Sequence, residues 1–113
     1  VGYKAAAICG RLGYRCRWNG RPCLLVRCFP DDPSGRYAEE PPALPGEKGF
    51  SVHVYNDGGP DGFAEMECSL PAVFGDTRRA SCDDAVSTWI FSGDETALDV
   101  VSSALLGTRE PGR

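Results

Sequence analysis

The sequence predicts an α+β fold: an antiparallel sheet of about four or five strands packed against one or two helices and stapled by three disulfides. Three patterns lead to this fold class. Two apolar segments flank an Asn-Gly turn, a strictly alternating segment lies near residue 50, and an amphipathic segment lies near the end. Because 113 residues suffice for one compact domain, we expect residues 1–113 to form a single disulfide-stabilised domain.

The first hairpin is predicted from Asn19-Gly20, a dipeptide that favours a two-residue turn between strands 14–18 and 21–28. In this register Cys16 faces Cys23. Pro22 falls opposite Arg17 at a non-hydrogen-bonded position, where its missing N–H costs no ladder bond. Residues 3–12 are compatible with either a short helix or a strand, because an alanine run lies just before the hairpin.

The middle of the chain predicts a long loop followed by a second hairpin. Residues 29–48 contain five prolines and no periodicity, so we expect an exposed Pro-rich loop. Residues 49–56 alternate between apolar and polar side chains, which predicts a half-buried strand. A Gly- and Asp-rich turn at 57–62 then leads to a second strand at 63–69.

The C-terminal part predicts a strand and a helix. Residues 85–91 are rich in Val, Thr, Trp and Ile, and we expect Trp89 to lie in the core. Ser92 and Glu95 form a predicted capping box with Ser92 as the N-cap, and Gly107 ends the helix. The predicted packing face of this helix consists of Ala97, Leu98, Val101, Ala104 and Leu105.

Cysteine is the most informative residue type in the chain. The count is even, no pair has the two-residue gap of zinc knuckles, and only one histidine is present, so three disulfides in a secreted protein are expected rather than a metal site. No cofactor is expected. Cys16 and Cys23 can form a disulfide with each other or bridges to Cys9, Cys68 or Cys82. Fifteen connectivities of the six cysteines remain open. The six residues are Cys9, Cys16, Cys23, Cys28, Cys68 and Cys82.

Charge is divided unevenly along the chain. Residues 1–30 hold six basic and no acidic residues, whereas the other 83 residues carry a net charge of −10. The two portions either neutralise each other on a mixed surface or present an arginine-rich face to an anionic partner. A pI near 4.9 disfavours nucleic acid, and no apolar run reaches the roughly 18 residues of a membrane span. We expect a protein partner, contacted through Arg15, Arg17, Trp18 and Arg21.

Enzymatic chemistry is limited by the single histidine, His53. With Tyr55, Glu65 or Glu67 and Arg78, it is loosely similar to the acid–base set of fungal guanyl-specific ribonucleases. Here, however, the tyrosine follows the histidine and a second histidine is missing. We therefore expect no enzyme. The alternatives are a ribonuclease-like or toxin protein acting on RNA, centred on His53, and a protease inhibitor that presents the Pro-rich loop.

The whole chain resembles the small secreted cysteine-rich proteins of filamentous fungi, which include plant-pathogen effectors and the virally encoded killer toxins of smuts. The resemblance is carried by six cysteines in 113 residues, by Asn19-Gly20 and the Pro-rich loops, and by the dibasic Arg78-Arg79. It implies an α+β fold and a secreted virulence or toxin role exercised by binding a host component. We accordingly expect a secreted, non-enzymatic effector that binds a host or partner protein.

Overall fold

The computed structural model describes residues 1–3, 5–37, 49–59, 63–73 and 80–107. Its contacts divide the chain into two compact units: Val1–Gly10 with Pro30–Ala85, and Arg11–Phe29 with Val86–Arg113. The strands are β1 (Gly2–Tyr3), β2 (Arg11–Trp18), β3 (Arg21–Cys28), β4 (Val52–Asn56), β5 (Ala64–Cys68) and β6 (Ser87–Ser92). The α-helix is α1 (Glu95–Leu106), and Ala5–Ala7 form a short 3-10 turn.

The α+β class is confirmed, but the expected single sheet of four or five strands is wrong. Each unit has its own three-stranded antiparallel sheet, in the order β1-β4-β5 in the first unit and β2-β3-β6 in the second. The second hairpin does not extend the first, because the outer edge of β3 is already paired along its length by β6. β4 instead completes its ladder with the two residues of β1.

The Asn19-Gly20 turn is formed as predicted. Both residues have positive φ, 49° and 77°, which is the conformation of a type I′ turn. The resulting register pairs Cys16 with Cys23 and Arg17 with Pro22, confirming the predicted alignment. A glycine at position 20 suits this turn because the left-handed region carries a steric cost for residues with a Cβ.

The core of the second unit lies between its sheet and α1. Leu24 and Val26 lie on the same face of β3, and Leu98 of α1 packs on both. All three side chains are essentially buried. Cys28, Phe91, Val101, Leu105 and Leu106 surround this centre. Of the predicted helix face, Leu98, Val101 and Leu105 therefore pack inward, whereas Ala97 and Ala104 are exposed.

The helix begins later than the predicted capping box implies. Asp94, not Ser92, is the N-cap: its backbone is extended and its carboxylate accepts a hydrogen bond from the Ala97 N–H at 2.7 Å. Ser92 remains the last residue of β6, with its hydroxyl directed to the Pro22 carbonyl. A carboxylate at this end also interacts favourably with the helix dipole. The predicted end of the helix at Gly107 is confirmed.

In the first unit, β4 and β5 form the predicted hairpin, and Val52 is fully buried beside Ser51. The turn at 57–62 is described only as far as residue 59. Part of the Pro-rich loop is not exposed as expected: Tyr37 is only 3% exposed, and its hydroxyl accepts a hydrogen bond from the Asp32 N–H. Burial raises the pKa of Tyr37. Residues 38–48 of this loop, and Arg78-Arg79, lie outside the described residues.

The three predicted disulfides are not formed in the structure, in which all six cysteines are free. The prediction of one domain stays a prediction beside the two compact units. In the described part of the chain, no helix combines the length and the apolar character needed to cross a membrane.

Truncating Leu98 to alanine should lower the free energy of unfolding by about 2–5 kcal/mol, because it opens a cavity against Leu24 and Val26. Val100 lies on the same helix but is 66% exposed, so Val100→Ala should change stability by less than about 0.5 kcal/mol. Urea unfolding of the two variants measures both values. Equal effects would contradict the described packing of α1.

Candidate binding surface of the hairpin

The four predicted contact residues lie on two faces of the hairpin. In a strand, alternate side chains point to opposite faces, and directly paired residues share a face. Arg15 pairs with Leu24 and Arg17 with Pro22, so these arginines lie on the face that carries the core. Trp18 pairs with Arg21, and both lie on the opposite face. The predicted surface is thus divided by the same register that forms the hairpin.

Arg15 and Arg17 are bound by acidic residues of α1. The Arg15 guanidinium donates to Glu95 at 3.2 Å and to Asp99 at 2.5 Å, and Arg17 donates to Glu95 at 2.9 Å. The spacing explains the match, because i and i+2 on a strand and i and i+4 on a helix each place two side chains on one face. All four side chains remain partly exposed, so each ion pair contributes about 0–1 kcal/mol.

The same face of β2 also contacts the C-terminal end of the helix. The Arg11 guanidinium donates to the Leu105 carbonyl at 2.7 Å, placing a cation at the negative end of the helix dipole. Between these arginines, Gly13 lets Leu106 approach the strand, since a Cβ at position 13 would collide with the Leu106 Cδ1 atom. β2 thus contacts the first turns of α1 through the ion pairs of two arginines, and the last turn through a hydrogen bond from Arg11 and the close packing of Gly13 on Leu106.

Trp18 and Arg21 are exposed beside the turn. Trp18 retains 72% of its accessible surface, and Arg21 forms no ion pair within the residues that the structure describes. Their positions are fixed by the strand pair and the tight turn rather than by a flexible loop. An exposed indole beside a guanidinium offers apolar area, one N–H donor and a planar cation on one small surface. Assignment of Arg15, Arg17, Trp18 and Arg21 to partner binding stays a prediction.

Cys16 and Cys23 lie on the Trp18 face, next to the exposed pair. They are directly opposite in a hydrogen-bonded pair, for which the Cα atoms are about 5.5 Å apart, within the range of about 4.4–6.8 Å found in disulfides. Burial, with a smaller contribution from Cys23, raises the pKa of the Cys16 thiol. As a free thiol, Cys16 is therefore a poor nucleophile at neutral pH.

The residues of the ribonuclease alternative lie in the first unit. His53 is directly opposite Glu67, and Tyr55 is opposite Glu65, so all four occupy one face of the β4–β5 pair, as expected for His53 and Tyr55. The His53 ring makes an edge contact with Phe50, with centroids 5.4 Å apart. Arg78, the arginine of this set, lies outside the described residues. RNA cleavage at this face stays an untested alternative to the expected absence of enzymatic activity.

Two features of the structure differ from, or go beyond, what the sequence predicts. Trp89, expected in the core, is 58% exposed, because α1 packs on β2 and β3 and leaves this part of β6 uncovered. The acidic partners of the arginines were not predicted. Their signal was present, because Glu95 and Asp99 are four residues apart at the start of a predicted helix.

Within the described ranges, no three His, Cys, Asp or Glu side chains come together in a group that could hold a metal ion. Comparisons of the chain with known protein families, curated proteins and solved structures found no match. The residues and their geometry are therefore the basis for proposing a function.

The ion pairs between β2 and α1 predict energetic coupling between Arg15 and Asp99. A double-mutant cycle of Arg15→Ala and Asp99→Ala should give a coupling energy of about 0.5 kcal/mol that shrinks in 1 M salt. The matched control is the cycle of Arg21→Ala with Asp99→Ala, which should give none because Arg21 lies on the other face. Urea unfolding measures all variants, and equal coupling in both cycles would refute the described pairing.

Proposed function

We propose that this chain is a secreted, non-enzymatic protein of the effector type, which acts by binding a host or partner protein. The observation that carries the proposal is the exposed pair Trp18 and Arg21, held on one face of the hairpin next to a rigid turn. Tryptophan and arginine are the residues that most often dominate the binding energy of protein interfaces. A fixed hairpin also loses little conformational entropy on binding.

A protein partner fits this surface better than nucleic acid does. Nucleic-acid binders present several unpaired cations along one face. Here Arg11, Arg15 and Arg17 are hydrogen-bonded to α1, and Glu95 and Asp99 bring negative charge beside them. At the turn end of the Trp18 face, the exposed side chains of Trp18 and Arg21 remain, a combination suited to an apolar pocket with an acidic rim. Arg15 and Arg17 then support the interface by fixing β2 against α1.

Secretion is supported by the cysteines, and we propose that they form three disulfides in an oxidising compartment. The cross-strand position of Cys16 and Cys23 makes them the pair whose bridge needs the smallest backbone change in the second unit. A disulfide between them would link β2 to β3 two residues from Trp18 and Arg21. The connectivity of Cys9, Cys28, Cys68 and Cys82 stays open.

Mass spectrometry of protein isolated from its secreting cells should show a mass about six units below that of the fully reduced chain, because three disulfides remove six hydrogens. Peptide mapping should find Cys16 linked to Cys23. Thiols that alkylate fully without reductant would contradict the proposed secretion, whereas three bridges with a different connectivity would contradict only the Cys16–Cys23 assignment.

Loss of the Trp18 side chain should weaken partner binding without unfolding the protein. The wild type and three variants, Trp18→Ala, Arg21→Glu and Trp89→Ala, are immobilised, and proteins retained from host extract are quantified by mass spectrometry. The proposal expects a partner whose affinity falls tenfold or more with Trp18→Ala and Arg21→Glu, since interface tryptophan and arginine residues contribute about 2 kcal/mol or more.

Trp89→Ala is the matched control, because Trp89 is also exposed but lies on β6, away from the hairpin turn. It should retain the partner with unchanged affinity. Equal retention by Trp18→Ala and the wild type, or an equal loss with Trp89→Ala, would overturn the assignment of the binding surface. Far-UV circular dichroism of each variant verifies that it is folded.

A further inference from the structure

The sheet β2-β3-β6 has two outer edges of very different character. Sheet edges are usually protected by charged residues, prolines or bulges, because their unpaired backbone groups would otherwise pair with another chain. The β2 edge carries Arg11, Arg15 and Arg17. The β6 edge, by contrast, is part of a neutral, proline-free stretch at 85–93, within which β6 has the sequence Ser-Thr-Trp-Ile-Phe-Ser.

The register identifies which backbone groups of β6 point outward. In a two-residue hairpin the residues beside the turn form a hydrogen-bonded pair, so β3 uses residues 21, 23, 25 and 27 toward β2 and the alternate residues toward β6. The bond from the Gly93 N–H to the Pro22 carbonyl agrees with this phase. Thr88, Ile90 and Ser92 therefore direct their N–H and C=O groups away from β3, and among the described residues no backbone hydrogen bond reaches them.

Two large apolar side chains of this edge are accessible, one on each face of the sheet. Ile90 is 70% exposed on the face opposite the helix, and Trp89 is 58% exposed on the helix side. A neutral edge with β-branched and aromatic residues is a favourable template for adding a strand. In the free chain, these two large apolar side chains remain in water.

We propose that β6 pairs with β6 of a second copy of this chain, antiparallel about a two-fold axis at Ile90, to form a continuous six-stranded sheet. Ile90 then faces Ile90 of the other copy, Thr88 faces Ser92, and Trp89 faces Phe91. Each of the three outward residues donates one N–H to the other copy. Trp89 with Phe91 forms an aromatic cross-strand pair on the helix side, and the two isoleucines meet on the other face.

This register pairs more of the outward backbone groups of β6 than the two neighbouring registers, which have the axis at Trp89 or Phe91, do. Shifting the axis to Trp89 places Ser92 opposite Val86, outside the strand. Shifting it to Phe91 places Thr88 opposite Asp94, whose carbonyl already accepts the Leu98 N–H of the helix. Only the axis at Ile90 pairs all three outward residues with one another.

A second copy suits the edge because the pairing is self-complementary in chemistry. Apolar residues meet apolar residues, hydroxyls meet hydroxyls, and the nearest acid, Asp94, falls opposite Val86 rather than opposite another acid. The opposite edge of the sheet is protected by the β2 arginines, so the association closes as a dimer instead of growing into a filament.

Sedimentation or light scattering at about 100 μM should give twice the monomer mass of 12.1 kDa, with dissociation on dilution. Ile90→Pro removes the two N–H donors at the axis, and Ile90→Lys places two like charges there, so each should weaken dimerisation tenfold or more. Ile90→Thr keeps the N–H and the β propensity and should dimerise within a few-fold of the wild type. A non-reducing denaturing gel excludes disulfide-linked dimers.

Amide hydrogen exchange locates the interface independently of the variants. The N–H groups of Thr88, Ile90 and Ser92 should become protected as the concentration rises, whereas those of Trp89 and Phe91 should be protected at all concentrations. A monomer at all concentrations, a dimer unaffected by Ile90→Pro and Ile90→Lys, or a dimer in which the three outward amides stay unprotected would each overturn the proposal. Pairing with an extended peptide instead of a second copy would appear as protection only when that partner is added, which also overturns it.

Discussion

The register of the β2–β3 hairpin is the constraint on which the second unit depends. Asn19 and Gly20 both adopt positive φ, so the turn has two residues. A two-residue turn fixes which residues of β2 and β3 are paired. This register places Leu24 and Val26 on the same face as Arg15 and Arg17. It places Trp18 and Arg21 on the other face. A shift of one residue would turn the core residues outward and exchange the two surfaces. The core, the binding site of the helix and the exposed tryptophan thus have one common origin.

This register explains the uneven distribution of charge along the sequence, because it brings arginines of the basic segment next to acidic residues of α1. Half of the six basic residues in segment 1–30 are engaged by α1, two by its acidic first turns and one by a carbonyl at its last turn. Such partly exposed contacts contribute little stability individually. Together these contacts set where the amphipathic helix lies on the sheet. The apolar contacts of Leu98 supply most of the free energy that holds the helix on the sheet.

The features that could be predicted from the sequence are those fixed by neighbours in the chain. The Asn19-Gly20 hairpin, the β4–β5 pair and the end of α1 at Gly107 depend on local turn and capping chemistry. Pairing of β3 with β6 joins residues 59 to 69 positions apart, and no local pattern selects it over pairing with β4. The exposure of Trp89 follows from that pairing, because an edge strand beyond the helix leaves an apolar side chain uncovered. The separation of Arg15 and Arg17 from Trp18 and Arg21 was already implicit in strand alternation.

Trp18 and Arg21 lie beside the hairpin turn, whereas the outward backbone groups of β6 lie along the sheet edge, so partner binding and self-association use different residues. The hairpin separates the helix-bound Arg11, Arg15 and Arg17 from the exposed Arg21. Exchange of the arginine side-chain N–H protons, followed by NMR, tests this separation most directly. Slow exchange for Arg11, Arg15 and Arg17 with fast exchange for Arg21 is the predicted result. Equal rates for all four, or protection of Arg21 alone, would contradict it.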